Sequence, residues 1–168
     1  MTDQPRKARS ICIEVYGIPG PGGSKQCFLT KSGRKVYKDM GGKKTKAWRR
    51  AVTLETAMAL VWFRRNGNQP FEKGVAIDIH CTFWIPRPQH HFSKSKYGTA
   101  LKPQYRHALH VIAPDATKLW RSTEDALTDA GIWHDDSQVV SQSVSKHYAT
   151  PDRPPGATIR IAEILPLD

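Results

Sequence analysis

The sequence predicts an α+β fold: a small mixed β-sheet with two main helices packed on it, in a single domain spanning residues 1–168. Three observations predict it. Ile11–Tyr16 and Gly74–Ile85 alternate apolar and polar residues with a period of two, and Ser137–Tyr148 does so in part. Two segments, Thr45–Arg65 and the stretch from Leu119 to Ala130, carry apolar residues at helical spacing. The elements interleave as strand, hairpin, helix, strand, long loop, helix, strand and strand, without an internal repeat.

The first strand, Ile11–Tyr16, sets Ile11, Ile13 and Val15 against Cys12, Glu14 and Tyr16. Residues 1–9 before it form a polar, basic tail expected to be mobile. Gly17–Lys25 is a Gly/Pro-rich loop. It lacks the order of a Walker phosphate loop and no helix follows, so it is either a plain turn or a site where amides and Lys25 approach a phosphate. Cys27–Thr30 and Lys35–Lys38 flank Lys31-Ser32-Gly33-Arg34, a hairpin signal. Lys31, Arg34, Lys35 and Lys38 make its tip basic, which suits an arm lying along DNA or a solvated hairpin.

Thr45–Arg65 is the longest helical pattern, with Trp48, Ala51, Val52, Met58, Ala59 and Trp62 recurring. Both tryptophans are expected in the core. Lys46, Arg49 and Arg50 crowd the first turns, where cations oppose the helix dipole, so backbone phosphates are candidate partners. Gly74–Ile85 follows, with His80 expected on the outer face of the sheet. Residues 86–113 read as a long loop rich in Pro, His, Lys and Tyr, expected to order on DNA. His107 and His110 alone are a weak zinc signal. The last strand covers Ala157–Leu165, with Ile159, Ile161 and Glu163 in one register.

Between loop and last strands lies the stretch Ala113–Lys146. Leu119, Thr123, Ala126, Leu127 and Ala130 share a helix face, and Lys118, Arg121, Ser122 and Asp125 lie on the other side. Gly131 can end the helix in a left-handed conformation. Asp115 stands at the helix entrance, Asp135 and Asp136 at the mouth of the next strand. Asp115 also suits a plain helix cap and Asp135-Asp136 a polar turn. A helix of about 13 residues is roughly 20 Å long, so these acids share a cation only if the strand runs back beside the segment preceding the helix. Asp136 and Lys146 are in even register along that strand, which predicts that they face the same side.

With 168 residues and 39% hydrophobic content, the chain can bury a substantial core. A net charge of +11 points to a polyanion partner, most often nucleic acid, against the alternative of a merely basic soluble protein. Cys12, Cys27 and Cys81 are widely spaced and odd in number, as in reduced intracellular proteins. The polar N-terminus has no apolar signal core, and no run approaches the roughly 18 apolar residues of a membrane span. The expectation is a cytoplasmic protein without a membrane partner.

Asp115-Ala116-Thr117-Lys118-Leu119, Arg121, Asp125-Ala126-Leu127-Thr128, Ala130-Gly131 and Asp135-Asp136-Ser137-Gln138-Val139-Val140 resemble the motif of the RusA family of Holliday junction resolvases. Gly23-Ser24-Lys25 and Tyr97-Gly98-Thr99 look like its phage-type branch. The resemblance implies the same α+β fold, a homodimer, and a bacterial or phage-infected cell. One residue departs from the pattern: the family's second acid is Thr117 here.

Phosphodiester hydrolysis needs charge neutralisation, an activated water and a stabilised leaving oxygen, all of which a metal ion supplies. Mg²⁺, with Mn²⁺ as a substitute, takes carboxylate oxygens and keeps several waters. Chemistry and resemblance together give Asp115, Asp136 and Asp135 as metal ligands. Arg121 or Lys118 would contact the scissile phosphate. Asp125 is either a further ligand or the partner of Arg121. Lys118, Arg121, Lys146, Lys25, Lys31, Arg34, Lys35, Lys46 and Arg49 are the expected DNA contacts. The expected activity is a Mg²⁺-dependent endodeoxyribonuclease that cuts four-way and other branched DNA by paired nicks. The competing readings are a non-catalytic branched-DNA binder, motivated by Thr117, and an RNA-binding protein.

Overall fold

The computed structural model describes residues 8–23, 25–39, 42–95 and 98–166, with only the backbone described at 25, 26, 37–39, 94, 95 and 98. Most of the basic tail, Ser24 and Tyr97, and the side chains of Lys25 and Lys38, fall outside the described residues.

A four-stranded mixed sheet is the frame. Its strands are β1 (Ser10–Tyr16), β4 (Ala76–Ile85), β7 (Val139–Tyr148) and β8 (Gly156–Ile164), in the order β1-β8-β4-β7. β8 is antiparallel to both β1 and β4, whereas β4 and β7 are parallel. The parallel pair demands a crossover, and helix α2 (Ala116–Asp129) provides it. Helix α1 (Lys43–Arg65) packs beside α2. Strands β2 (Lys25–Leu29) and β3 (Lys35–Asp39) form the expected basic hairpin as a separate two-stranded sheet.

Alternation decides which sheet face is covered. Ile11, Ile13 and Val15 of β1, Ile77, Ile79, Cys81 and Phe83 of β4, and Ile159 and Ile161 of β8 are all buried. Leu119, Thr123, Ala126 and Leu127 of α2 close over them, and the Trp48 ring sits 6.2 Å from Phe83. Trp48 is further fixed by its indole N–H, which donates to Thr123 Oγ1 at 2.9 Å. His80 is on the open face as expected, beside Asp78 at 2.9 Å. Glu163 faces inward in register with Ile161, and the Arg9 guanidinium meets it at 2.9 Å. That pairing offsets the cost of a buried carboxylate.

Three expectations need correction. Trp62 is 64% exposed rather than core, because the sheet covers only the α1 face that carries Trp48, Val52, Leu60 and Phe63. Ser122 is fully buried, since its hydroxyl donates to the Gly20 carbonyl. Residues 86–113 are not irregular throughout. They contain a short hairpin, β5 (Phe92–Ser95) with β6 (Gly98–Leu101), and two 3₁₀ turns. The ring of His91 stacks on Tyr105 at 4.1 Å, and both His91 and His110 pack on Tyr148. Aromatic contacts thus tie this segment to the end of β7.

The Gly-rich loop packs against both helices. The Gly22 N–H donates to the Lys118 carbonyl at 2.7 Å, and Thr45 Oγ1 donates to the Pro21 carbonyl at 2.7 Å. A Cβ at Gly20 would stand 2.6 Å from the Lys44 carbonyl oxygen, so only glycine lets the loop pass between α1 and α2.

Candidate metal and nucleic-acid site

Asp115 occupies the N-cap position of α2 in an extended conformation, yet its side chain makes no cap bond. Instead its Oδ2 lies 3.1 Å from Lys118 Nζ, with the two side chains 60% and 58% exposed. An exposed pair of this kind contributes about 0–1 kcal/mol, so the carboxylate is open to a stronger partner. Thr117, in the first turn of the helix, is exposed, and that turn holds no acid. The loop before Asp115 is pinned from β7. Lys146 Nζ donates to the Ile112 carbonyl at 2.7 Å and to the Pro114 carbonyl at 2.8 Å. Lys146, read from sequence as a DNA contact, thus directs two of its three N–H donors to the backbone that presents Asp115.

The opposite end of α2 carries the second acidic group. Gly131, with φ of 72°, turns the chain out of the helix. Asp135 then caps a 3₁₀ turn of Asp136–Gln138 by accepting from the Ser137 N–H at 2.9 Å. Gln138 completes the box by accepting from the Asp135 N–H at 3.0 Å. The Gln138 amide also donates to the carbonyls of Glu72 and Val75, which fastens the turn to the start of β4. Hydrogen bonds from the Ser137 hydroxyl and amide hold the Asp135 carboxyl below its usual range. Asp135 is therefore a turn-forming residue, while Asp136 projects beside it, exposed.

Glu124 was missed by sequence reasoning. It is half-buried on the flank of α2, and burial first, then the Asp136 charge, pushes its carboxyl up. The signal available was its place three residues after Arg121 on the helix.

In one chain the two acidic groups stay apart. β7 does run back beside the segment before α2, but the residue it brings there is Lys146, opposite Phe83 near the end of β4. Asp136 precedes the start of β7, where Val139 lies beside Ile77. The two groups thus lie toward opposite ends of β7. The even register expected between Asp136 and Lys146 is also interrupted. Asp136 belongs to a 3₁₀ turn, and a bulge leaves Val140 without a partner on β4. Among the described residues no three His, Cys, Asp or Glu side chains are gathered so as to hold a metal ion.

Of the basic candidates, Lys31, Arg34, Lys35, Lys46, Lys118 and Arg121 are exposed. The tip of the hairpin is closed by a hydrogen bond from the Thr30 N–H to the Arg34 carbonyl at 2.9 Å, and Gly33 takes a φ of 77°. Arg49 joins the helices, with its guanidinium 3.4 Å from Asp125 and 2.8 Å from Asp129. That resolves Asp125 as a partner of Arg49 rather than of Arg121. No described helix is long and apolar enough to cross a membrane.

The family model described as "Endodeoxyribonuclease RusA" matches residues 19–162, nearly the whole chain. No curated protein gives a significant match.

Proposed function

The chain belongs to the RusA family of endodeoxyribonucleases, which act on Holliday junction DNA, and from that premise we propose that it resolves four-way junctions by paired symmetric nicks, as a homodimer that uses Mg²⁺ or Mn²⁺. The observation that carries the reading is the setting of Asp115 and Asp136. Each is an exposed carboxylate in a chain of net charge +11, and Asp115 stands beside exposed Lys118, with exposed Arg121 one turn further along α2.

The donor set suits a hard cation, since only carboxylate oxygens are offered. One chain does not bring three such groups together, so the fit is to an open site that a phosphate completes and that a second copy supplies in part. A two-fold dimer makes every contact twice, so Asp115 of one copy and Asp136 of the other would form each of two sites. Such a dimer suits a reaction of two symmetric cuts. A cation held by Asp115 and Asp136 would neutralise phosphate charge and supply an activated water.

The chain's own groups do the rest. Lys146 orients the loop that carries Asp115. Lys118 and Arg121 sit on the exposed side of α2, where they can meet the scissile phosphate and the charge that develops on it. Lys31, Arg34 and Lys35 form a basic hairpin tip that would track the DNA backbone, with Lys25 and Lys46 nearby in sequence. The proposed setting is the cytoplasm of a bacterial or phage-infected cell.

A second reading has a specific observation behind it. Thr117 stands where the family has its second acid, which favours a junction-binding protein with little or no cleavage. A labelled four-way junction incubated with and without Mg²⁺ separates the two. Metal-dependent paired nicks that vanish in Asp136→Asn support the nuclease. Tight binding without cutting in either metal supports the binder.

A further inference from the structure

Helix α1 buries Trp48, Val52, Leu60 and Phe63 against the sheet, yet its outer side is apolar as well. Leu54 (54% exposed), Met58 (68%), Val61 (49%) and Trp62 (64%) follow one another at i, i+4, i+7 and i+8, so they form one continuous stripe. With about 100° between successive residues, Leu54 and Val61 stand on the side of the helix opposite Val52. A helix that is apolar on both sides is ordinarily covered on both. Four large apolar side chains in one line are not the usual scatter of single surface hydrophobics.

The surroundings of the stripe are cationic. Arg50 stands at its N-terminal end, Arg64 and Arg65 at its C-terminal end, and all three are exposed. α1 has a single acid, Glu55, half-buried on the flank. Two features choose the occupant. Leu54, Met58 and Trp62 make a straight i+4 ridge, which fits the groove of a second helix. Cations at both ends call for acids at both ends of that helix, about 22 Å apart along its axis. A second copy of this chain does not supply them. Arg50 and Arg65 are about equally far from Met58 in sequence, so antiparallel self-pairing of α1 sets like charges on one another. A ridge one side chain wide also offers a lipid bilayer little apolar area.

We propose that the outer face of α1 docks an amphipathic helix of another protein, about four turns long, with an apolar stripe at i, i+4 and i+7 and Asp or Glu at both ends. The docking uses apolar anchors for affinity and the terminal arginines for orientation and choice of partner. α1 packs on β1, whereas Asp115, Asp136 and Lys146 belong to α2 and to β7 at the other edge of the sheet. A partner held on α1 therefore leaves the acidic residues open. The inference does not depend on the nuclease reading.

The test uses the full chain and a fluorescein-labelled synthetic helical peptide of about 18 residues, with Leu at the stated spacing on one face and Glu at both ends. The same peptide with Lys at both ends is the control. Anisotropy should show saturable binding of the Glu-ended peptide and binding of the Lys-ended one at least about tenfold weaker. Met58→Glu should keep the circular-dichroism spectrum and junction binding while weakening the Glu-ended peptide by about 100-fold, as for a residue at the centre of an interface. Arg64→Glu with Arg65→Glu should weaken the Glu-ended peptide and strengthen the Lys-ended one. A Glu-ended peptide that does not bind, or that binds Met58→Glu as well as the wild type, overturns the proposal. Phosphatidylglycerol vesicles that hold the wild type but not Met58→Glu, without peptide binding, assign the stripe to a membrane and overturn it too. Self-association lost in Met58→Glu, again without peptide binding, assigns the stripe to a second copy and does the same.

Discussion

Lys146 reaches from the end of β7 to the carbonyl of Pro114, 2.8 Å away, and so ties the sheet to the residue that precedes Asp115. A second bond to the Ile112 carbonyl makes the ammonium a two-point clamp. One of the two bonds is exposed and the other only part-buried, so together they are worth about what one charged hydrogen bond contributes, roughly 1.5–3 kcal/mol. Lys146→Met is therefore expected to lower stability by roughly 1–3 kcal/mol and to reduce junction cleavage more than junction binding. Thermal unfolding, with cleavage and binding measured on one preparation, checks this. Loss of binding alone would make Lys146 a plain phosphate contact.

Trp48 and Trp62 should behave oppositely. Trp48 is 1% exposed and bonded to Thr123, so Trp48→Ala should cost about 3–5 kcal/mol. Trp62 is 64% exposed, and Trp62→Ala should change stability by less than about 0.5 kcal/mol. Urea unfolding of both variants decides the matter.

The contrast between these tryptophans shows what the sequence makes legible. Helical periodicity marks an apolar face, but α1 carries apolar residues around much of its circumference. Only tertiary packing chooses which side meets the sheet. Strand alternation is a firmer signal, and β1, β4 and β8 fall where Ile11–Tyr16, Gly74–Ile85 and Ala157–Leu165 place them. The aromatic stack of His91, Tyr105, His110 and Tyr148 was illegible because its members come from separated segments. At the site, the motif locates Asp115, Asp135 and Asp136. Their separation depends on the direction in which β7 returns, and the bulge at Val140 breaks the parity argument that linked Asp136 to Lys146.

That same stack confers a pH dependence. Burial, and then the charges of His90, Arg87 and Lys102, lower the basicity of His91. Burial, and then Lys146, lower that of His110. A histidine harder to protonate when folded binds fewer protons in the native state near pH 6 than in the unfolded one. Its contribution is fully present above the ordinary value of about 6.5 and is lost as pH falls below it. Stability should decline from pH 7 to pH 5, and the His91→Phe, His110→Phe double variant should flatten that decline. An unchanged slope in the double variant would rule out the stack as its source.

The hairpin should act through charge alone. Replacing Lys31, Arg34 and Lys35 with Ala should weaken binding to any duplex arm. The slope of log affinity against log salt should fall by about 0.9 for each phosphate no longer neutralised, hence about 2.7 for all three. Fluorescence anisotropy across a salt series measures it. A slope equal to that of the wild type would leave the hairpin as a solvated arm.

Thr117 offers a gain-of-function test. It is exposed in the first turn of α2, close to Asp115 in sequence, and a carboxylate there adds a hard-cation donor and complements the helix dipole. Thr117→Asp should lower the Mg²⁺ concentration for half-maximal cleavage about tenfold, a change of roughly 1.4 kcal/mol. A metal titration that does not move would separate position 117 from the cation.

The central claim is that each active site is shared between two copies, and mixing inactive variants tests it most directly. Asp115→Asn and Asp136→Asn are each expected to be inactive alone. In a mixed dimer one site holds both substitutions, and the other holds neither. Co-refolding the two should therefore restore single nicks in a four-way junction in the presence of Mg²⁺, in proportion to the mixed dimers formed. If the mixture stays as inactive as its components while mixed dimers are present, the two aspartates act within one chain and the shared site is wrong.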